Sequence, residues 1–305
     1  MAQRWPSSAS ATWTAWSSRS TLRGWAGEPP LQLGAERIVW ATGLRPATPP
    51  IAGLARSECN ATAAGMESLA ARLRIDGRRV VVIGAGLIGS ETAATLAHRH
   101  SVTLLDYADR PLARFHDSIS TAAVGALTDA GVRFVGGCQV SEVTGTSVVT
   151  GTHGSFSADV VVRATGVRSS LPDTLAAAPV ATLDTDETLR LLGHPNIWAC
   201  GDVARFPHPR YGLISVPHWD HARASGRHAA EAAMGSHAAY TRDPYWFSDI
   251  GRLRIQQVGL SDAAVDWRSR DGIQVGHDDA GRAACAVLLD APHRLRDARR
   301  LLVAA

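Results

Sequence analysis

Val80-Val81-Val82-Ile83-Gly84-Ala85-Gly86-Leu87-Ile88-Gly89-Ser90-Glu91 sets the frame for the whole chain. A β-branched apolar run enters Gly-x-Gly-x-x-Gly, and an alanine-rich helical pattern continues from Thr92 to His98. That order of strand, glycine turn and helix start is what a dinucleotide requires. Gly84 permits the turn, Gly86 lets the backbone approach a pyrophosphate, and Gly89 lets the helix lie close on the strand. The phosphates then meet unpaired N–H groups at a helix N-terminus. A glycine pattern alone fits a structural turn equally well. Here Ser101-Val102-Thr103-Leu104-Leu105-Asp106 adds a second strand, ending in an acid 20 residues beyond Gly86, where a ribose-binding carboxylate belongs. The stretch reads as a nucleotide-binding βαβ unit.

Composition bounds the rest. A length of 305 residues suits two or three domains with buried cores. A hydrophobic content of 45% with 19% charged residues describes a globular chain. The net charge of +3 is small and spread out, so no nucleic-acid partner is expected. All 31 basic residues are arginine, which fits a GC-rich coding sequence better than a binding strategy. Cys59, Cys138, Cys200 and Cys285 lie far apart, which excludes a Cys-x-x-Cys dithiol and a zinc ribbon. Scattered thiols predict a reducing, cytoplasmic setting. No apolar run approaches the roughly 18 residues of a membrane span, and the N-terminus lacks a signal peptide's apolar core. The histidines show no metal-ligand spacing, so no metal site is expected.

Residues 1–27 look unlike the remainder, with four of the nine tryptophans (Trp5, Trp13, Trp16, Trp25) among serines and arginines and no periodicity. Disorder, or a start that is not authentic, is the expectation there. Arg37 to Gly43 reads as a strand entering a glycine turn, and Pro46, Pro49 and Pro50 hold an extended crossover. Met66 to Leu73 predicts a helix. Further strands are expected at Val132–Val135, Ser147–Val149, Val160–Ala164 and Asn196–Cys200, and a helix over Asp220–Ala233. The tail mixes strands (Leu253–Val258, Ala284–Leu289) with an Arg-rich helix (Arg294–Leu302).

Five segments in this order resemble one family. They are Ala41-Thr42-Gly43-Leu44-Arg45-Pro46, the Gly84–Glu91 fingerprint, Ala164-Thr165-Gly166-Val167, Ala199-Cys200-Gly201-Asp202-Val203, and His218-Trp219 before a helix. Over about residues 28–305 the chain resembles the flavoproteins with two dinucleotide-binding domains, specifically the NADH-dependent ferredoxin reductases of bacterial oxygenase systems. Pro244-Tyr245-Trp246-Phe247-Ser248-Asp249 is similar to their Pro-Trp-Phe-Trp-Ser-Asp-Gln signature, and His293 to Asp297 to their closing helix. The fold implied is α/β, with two Rossmann-like dinucleotide-binding domains and a small α+β C-terminal reductase domain. Residues 28–60 and 171–240 would form the FAD domain, 61–170 the NAD domain and 241–305 the C-terminal domain.

The resemblance implies FAD and NAD as cofactors and a [2Fe–2S] ferredoxin as electron acceptor. Gly84, Gly86, Leu87, Ile88, Gly89 and Gly166 would border NAD, with Asp106 accepting from the adenosine ribose. An acid there repels the 2′-phosphate of NADP, while Arg110 and Arg114 work against that preference. Thr42, Gly43 and Arg45 would border FAD, Gly201 and Asp202 would meet its ribityl and pyrophosphate portion, and Val216 and Trp219 its ring. Glu91, in the catalytic role, resembles a glutamate that sits near the flavin and pairs with a lysine. Plainer alternatives stand beside these: an N-cap for Asp202, a surface position for Arg45, a core aromatic for Trp219, a helix-end charge for Glu91. Arg294, Arg296, Arg299 and Arg300 could meet an acidic ferredoxin or simply form a solvated face.

The chain departs from the family in one large respect. Members carry another strand-Gly-x-Gly-x-x-Gly-helix before this region, which holds the ADP half of FAD, and nothing in residues 1–40 resembles it. The expected lysine is absent, and Asn60-Ala61-Thr62 stands where a Leu-Arg-Thr segment would contact FAD. An N-terminally truncated member with an incomplete FAD domain and weak flavin binding is therefore expected. Its alternatives are a non-catalytic NAD-binding remnant and a related reductase of the nitrite reductase or NADH oxidase type.

Overall fold

The continuous burial of Val80 to Ile83 explains the architecture around the glycine loop. In a computed structural model that describes residues 19–22, 31–169 and 182–303, these residues lie in the strand Arg79–Ile83, inside a four-stranded parallel sheet. The order is Val160–Arg163, Arg79–Ile83, Ser101–Leu105, Arg133–Val135. Successive side chains point to opposite faces. Val80, Val82, Leu104 and Val162 pack under the helices Leu87–Leu96 and Asp117–Asp129. Val81, Ile83, Leu105 and Val161 pack against the antiparallel strands Val140–Val143, Ser147–Thr150 and Ser155–Ser157. Coverage on both faces is why the strand reads as an unbroken apolar run.

The chain is α/β and divides into two compact units. One takes in residues 46–167 and 245–305, the other residues 1–45 and 168–244. In the first, a five-stranded antiparallel sheet runs in the order Tyr245–Ile250, Leu253–Gly259, Ala283–Leu289, Ile273–His277, Asp266–Arg270. Its two faces have separate roles. Ile250, Leu253, Ile255 and Val287 join the core of the parallel sheet and its helices. Val258, Val275, Ala286 and Leu288 are covered by Ala298 and Leu302 of the helix Leu295–Val303. Phe115 meets Trp246 at 4.9 Å between ring centroids, and His116 stacks on Trp267 at 3.9 Å.

In the second unit, Ile38–Trp40 pairs in parallel with Ile197–Ala199. Trp40, Leu183, Leu191, Ala199, Val203 and Ala204 form a small core. The helix Trp219–Ala233 follows, and Phe206 stacks on its His221 at 5.3 Å.

The expected elements fall close to their sequence positions, while strands such as Val140–Val143, Ser155–Ser157, Tyr245–Ile250, Asp266–Arg270 and Ile273–His277 have no counterpart in the sequence reading. The glycine-loop helix covers Leu87–Leu96, with Gly86 in the extended N-cap conformation and Ser90 N–H donating to Gly86 O at 2.9 Å. The hairpin Ala204–His208 with Gly212–Ile214 carries no sequence assignment. Its inward positions are Ala204, Phe206 and His208, and a buried histidine with a proline between reads as loop. Arg19–Leu22 pairs with Leu31–Gly34 although the first segment shows no strand periodicity; a partner strand supplies pairing that alternation alone does not announce. Trp5, Trp13, Trp16 and Trp25 lie outside the described residues.

Ile250 is fully buried in the core shared by the parallel sheet and the C-terminal sheet. Truncation to alanine is expected to cost about 2–5 kcal/mol. Urea unfolding followed at Trp246 and Trp267 should show residues 46–167 and 245–305 melting together; a separate, unshifted transition for the parallel sheet would contradict a shared core.

Candidate functional site

The glycine loop has the three properties its spacing requires. Gly84 sits at φ +103°, and a Cβ there would stand 2.3 Å from the Ala164 carbonyl oxygen. A Cβ on Gly89 would stand 1.8 Å from Gly84 O, so the helix touches the strand exit backbone to backbone. Gly86 differs from both: it is exposed, and a Cβ would find nothing within 4 Å. No side chain caps the helix that begins at Leu87, and its first turn holds no acid. Its leading N–H groups are therefore presented to an anion beside an uncovered glycine.

Asp106 fastens this loop. One carboxylate oxygen accepts from Ala85 N–H at 2.5 Å and the other from Ala108 N–H at 2.8 Å. Gly84 N–H donates to Leu105 O at 2.8 Å, so the loop and the second strand are tied together. Each carboxylate oxygen keeps acceptor capacity for a ribose hydroxyl. Arg110 is engaged by Asp117 at 2.5 Å, which holds that carboxyl below its usual range, while Arg114 is exposed. Leu87 is half-buried beside the loop, Ile88 faces outward, and Gly166 is exposed at φ +90°. These residues gather around one sheet edge, at the carboxyl ends of the strands, where α/β proteins bind ligands.

Glu91 has a partner that sequence reading does not name. Ser248 Oγ donates to Glu91 Oε1 in a short hydrogen bond, and Asp249 N–H donates to the same oxygen at 3.2 Å. The glutamate joins the glycine-loop helix to the strand Tyr245–Ile250 rather than serving the helix end. The segment Asn60-Ala61-Thr62 is engaged in local structure. Thr62 caps the helix Ala63–Arg72 by accepting from Gly65 N–H at 3.1 Å, and Asn60 Nδ2 donates to Thr92 Oγ1.

The second unit holds the other candidates. Gly201 takes φ +68° and its N–H donates to Ser225 Oγ at 2.9 Å, while that hydroxyl donates to His221 O at 2.8 Å. Asp202 follows inside the same tight turn. It is not a helix cap: Oδ1 is buried without a hydrogen-bond partner among the described residues, and burial pushes its carboxyl pKa up. A buried acceptor of this kind is matched by a hydroxyl donor, so the turn fits the polyhydroxyl portion of a flavin. Val216 is buried, and its carbonyl accepts from His218 N–H at 2.9 Å. Trp219 is 56% exposed, which removes the core-aromatic alternative, and Arg223 lies over its ring. Thr42 is exposed and accepts from Trp40 Nε1 at 2.7 Å, Gly43 has φ +64° with open space before it, and Arg45 is a surface residue. Among the described residues no group of His, Cys, Asp and Glu is placed to hold a metal. No helix among the described residues is long and apolar enough to cross a membrane.

With this geometry established, similarity places the chain. The model of the pyridine nucleotide-disulphide oxidoreductase family matches residues 26–229, and the chain belongs to that family. It is 30% identical over 289 residues to the ferredoxin–NAD(+) reductase component of the anthranilate 1,2-dioxygenase system of Burkholderia cepacia, covering 88% of this chain and 70% of that protein. It is 30% identical to rhodocoxin reductase of Rhodococcus erythropolis, over 79% of this chain and 59% of that protein. The crystal structure of the covalent putidaredoxin reductase–putidaredoxin complex matches with a TM-score of 0.82 at 25% identity, covering 93% of this chain and 72% of that one. The chain spans 33% to 59% of the length of the first curated relatives it matches.

Gly86→Val meets open space, so it should leave the melting temperature close to wild type while weakening NADH binding about tenfold or more, since the side chain occupies the phosphate approach. Gly89→Val should instead destabilise the fold; equal effects of both variants on stability would overturn the separate roles. A second expected outcome concerns pH. Burial lowers the His221 pKa to about 4, with Asp220 opposing and Arg242 and His218 assisting. The unfolded imidazole titrates near 6.5, so between about pH 6.5 and 4 the unfolded state binds the extra proton and stability falls as pH falls, by at most about 3 kcal/mol. His221→Gln should make the fall with acid shallower without abolishing it in pH-dependent denaturation, because burial lowers the pKa of His208 as well.

Proposed function

Within that family, we propose that the chain serves an NADH-dependent flavoprotein reductase that delivers electrons to an iron–sulfur ferredoxin of an oxygenase system. The observation that carries the reading is the open Gly86 beside an uncapped helix start, with Asp106 holding the loop by its Ala85 and Ala108 amides. Relatives named as ferredoxin reductase components support the choice of acceptor. The fit of the second unit to FAD rests on the buried, unpartnered Oδ1 of Asp202.

In this reading the residues act by positioning. The amides after Gly86 bind the pyrophosphate of NADH, and Asp106 accepts from the adenosine ribose and repels a 2′-phosphate, which selects NADH over NADPH. Leu87, Ile88 and Gly166 line the same edge, and Arg114 lies beyond it. Asp202 and Gly201 take the ribityl portion of FAD, with Thr42, Gly43, Arg45, Val216 and Trp219 bordering it. FAD supplies the change from two-electron to one-electron chemistry that a ferredoxin needs. Glu91 acts as a strut, keeping Ser248 and Asp249 against the glycine-loop helix.

One feature of the sequence favours a second reading. The Gly84–Gly89 fingerprint, with Asp106, is a dinucleotide cradle in itself, so these residues would also serve as an NAD-binding module without flavin turnover.

NADH-dependent reduction of ferricyanide or cytochrome c with FAD added separates the two. Turnover with retained yellow flavin supports the reductase; NADH binding without turnover supports the module; neither binding nor turnover contradicts both. Asp106→Ser should narrow the preference for NADH over NADPH by about tenfold, measured as the ratio of their dissociation constants.

A further inference from the structure

The parallel sheet has a second end, and it carries a cavity. At the amino ends of the strands Arg79–Ile83 and Val160–Arg163, a cavity of about 410 Å³ is lined by Ala71, Arg72, Arg74, Ile75, Arg78, Asp159 and Val160. Arg79–Ile83 is five residues long, so this cavity lies roughly 15 Å from the glycine loop, across the sheet. It is separate from the nucleotide edge.

The charges around it do not cancel. Arg72 donates to Glu58 Oε1 at 3.1 Å and to the Asp159 carbonyl at 3.1 Å. The Asp159 carboxylate is taken by Arg79, through its backbone N–H at 2.8 Å and its guanidinium at 2.7 Å. Asp76, next in sequence to Ile75, pairs with Arg99. Every carboxylate near the cavity is thus already matched by an arginine. Arg74 and Arg78 form no ion pair among the described residues; Arg78 stands near enough to help Arg79 hold the Asp159 carboxyl below its usual range, but its Nε is buried without a hydrogen-bond acceptor. A buried charged donor left unmatched is costly, and an incoming oxyanion is what satisfies it. The helix Ala63–Arg72 ends here and presents its negative pole, about half a charge, which two full guanidinium charges exceed. Ile75, 65% exposed, adds an apolar wall.

We infer that this cavity binds a small organic oxyanion, of phosphate or carboxylate chemistry, through Arg74 and Arg78. The guanidinium fork matches either group in two-point fashion, and the volume exceeds that of a bare ion, leaving room for a short apolar body along Ile75. The site is independent of the nucleotide, so it stands whether or not the chain reduces a ferredoxin.

Calorimetric titration of the full chain with phenyl phosphate, inorganic phosphate and malonate tests the site at matched ionic strength. The wild type should bind at least one probe in the range of about 0.1–1 mM, and R74Q/R78Q should weaken it about tenfold or more with an unchanged melting temperature. R78K, which keeps charge but loses the fork, should fall between them. Tighter binding of phenyl phosphate assigns phosphate chemistry, and tighter binding of malonate assigns carboxylate chemistry. Equal affinities for wild type and R74Q/R78Q, or no binding of any probe by the wild type, would overturn the inference.

Discussion

The contact between Gly89 and Gly84 governs the geometry of the nucleotide-binding half. A methyl group at Gly89 would sit 1.8 Å from the Gly84 carbonyl, so the helix can meet the strand exit only if Gly89 lacks a side chain, while one at Gly84 would sit 2.3 Å from the Ala164 carbonyl oxygen. That closeness aims the helix N-terminus at the sheet edge and buries Ser90, Ala93 and Ala94. It also leaves Gly86 as the one glycine of the three with open space before it. Steric crowding at two positions thus creates access at the third.

Asp106 shows how one carboxylate can combine a structural role with recognition. Its two oxygens accept from Ala85 and Ala108, which fixes the loop relative to the second strand, and each keeps acceptor capacity for the ribose proposed above. Replacing it therefore removes two hydrogen bonds that hold the loop. In the second unit the logic is reversed. Asp202 is half-buried, with Oδ1 itself buried and without a hydrogen-bond partner among the described residues, a cost that a fold carries when a ligand group completes the hydrogen bond. The His221–Ser225–Gly201 chain of hydrogen bonds holds that turn in place, and His221 stays neutral because burial disfavours its charged form.

How legible all this is in the sequence depends on whether an interaction is local. The strand, glycine turn and helix of the fingerprint are written within twelve residues, because each glycine answers a constraint set by its immediate neighbours. The same holds for the strands of the parallel sheet, whose apolar runs reflect two covered faces. The partnership of Glu91 with Ser248 is not legible: it joins positions 157 residues apart, and neither side chain carries a signal for the other. The packing of Ile250 and Ile255 into the core of the parallel sheet escapes reading for the same reason. The hairpin at Ala204–His208 is hidden by composition, since a buried histidine beside a proline resembles a loop. The basic cavity under the sheet combines residues of a helix end, a turn and a distant strand, which sequence reading separates.

Hydrogen exchange of the backbone amides from Ala85 to Ser90, with and without NADH, probes the anion-binding role of the glycine loop at the atoms concerned. Exchange at these amides should slow on addition of NADH, because the pyrophosphate accepts from them, and that protection should be lost in Gly86→Val. NADH binding that leaves these amides unchanged, or protects only amides elsewhere, would contradict the role assigned to the loop.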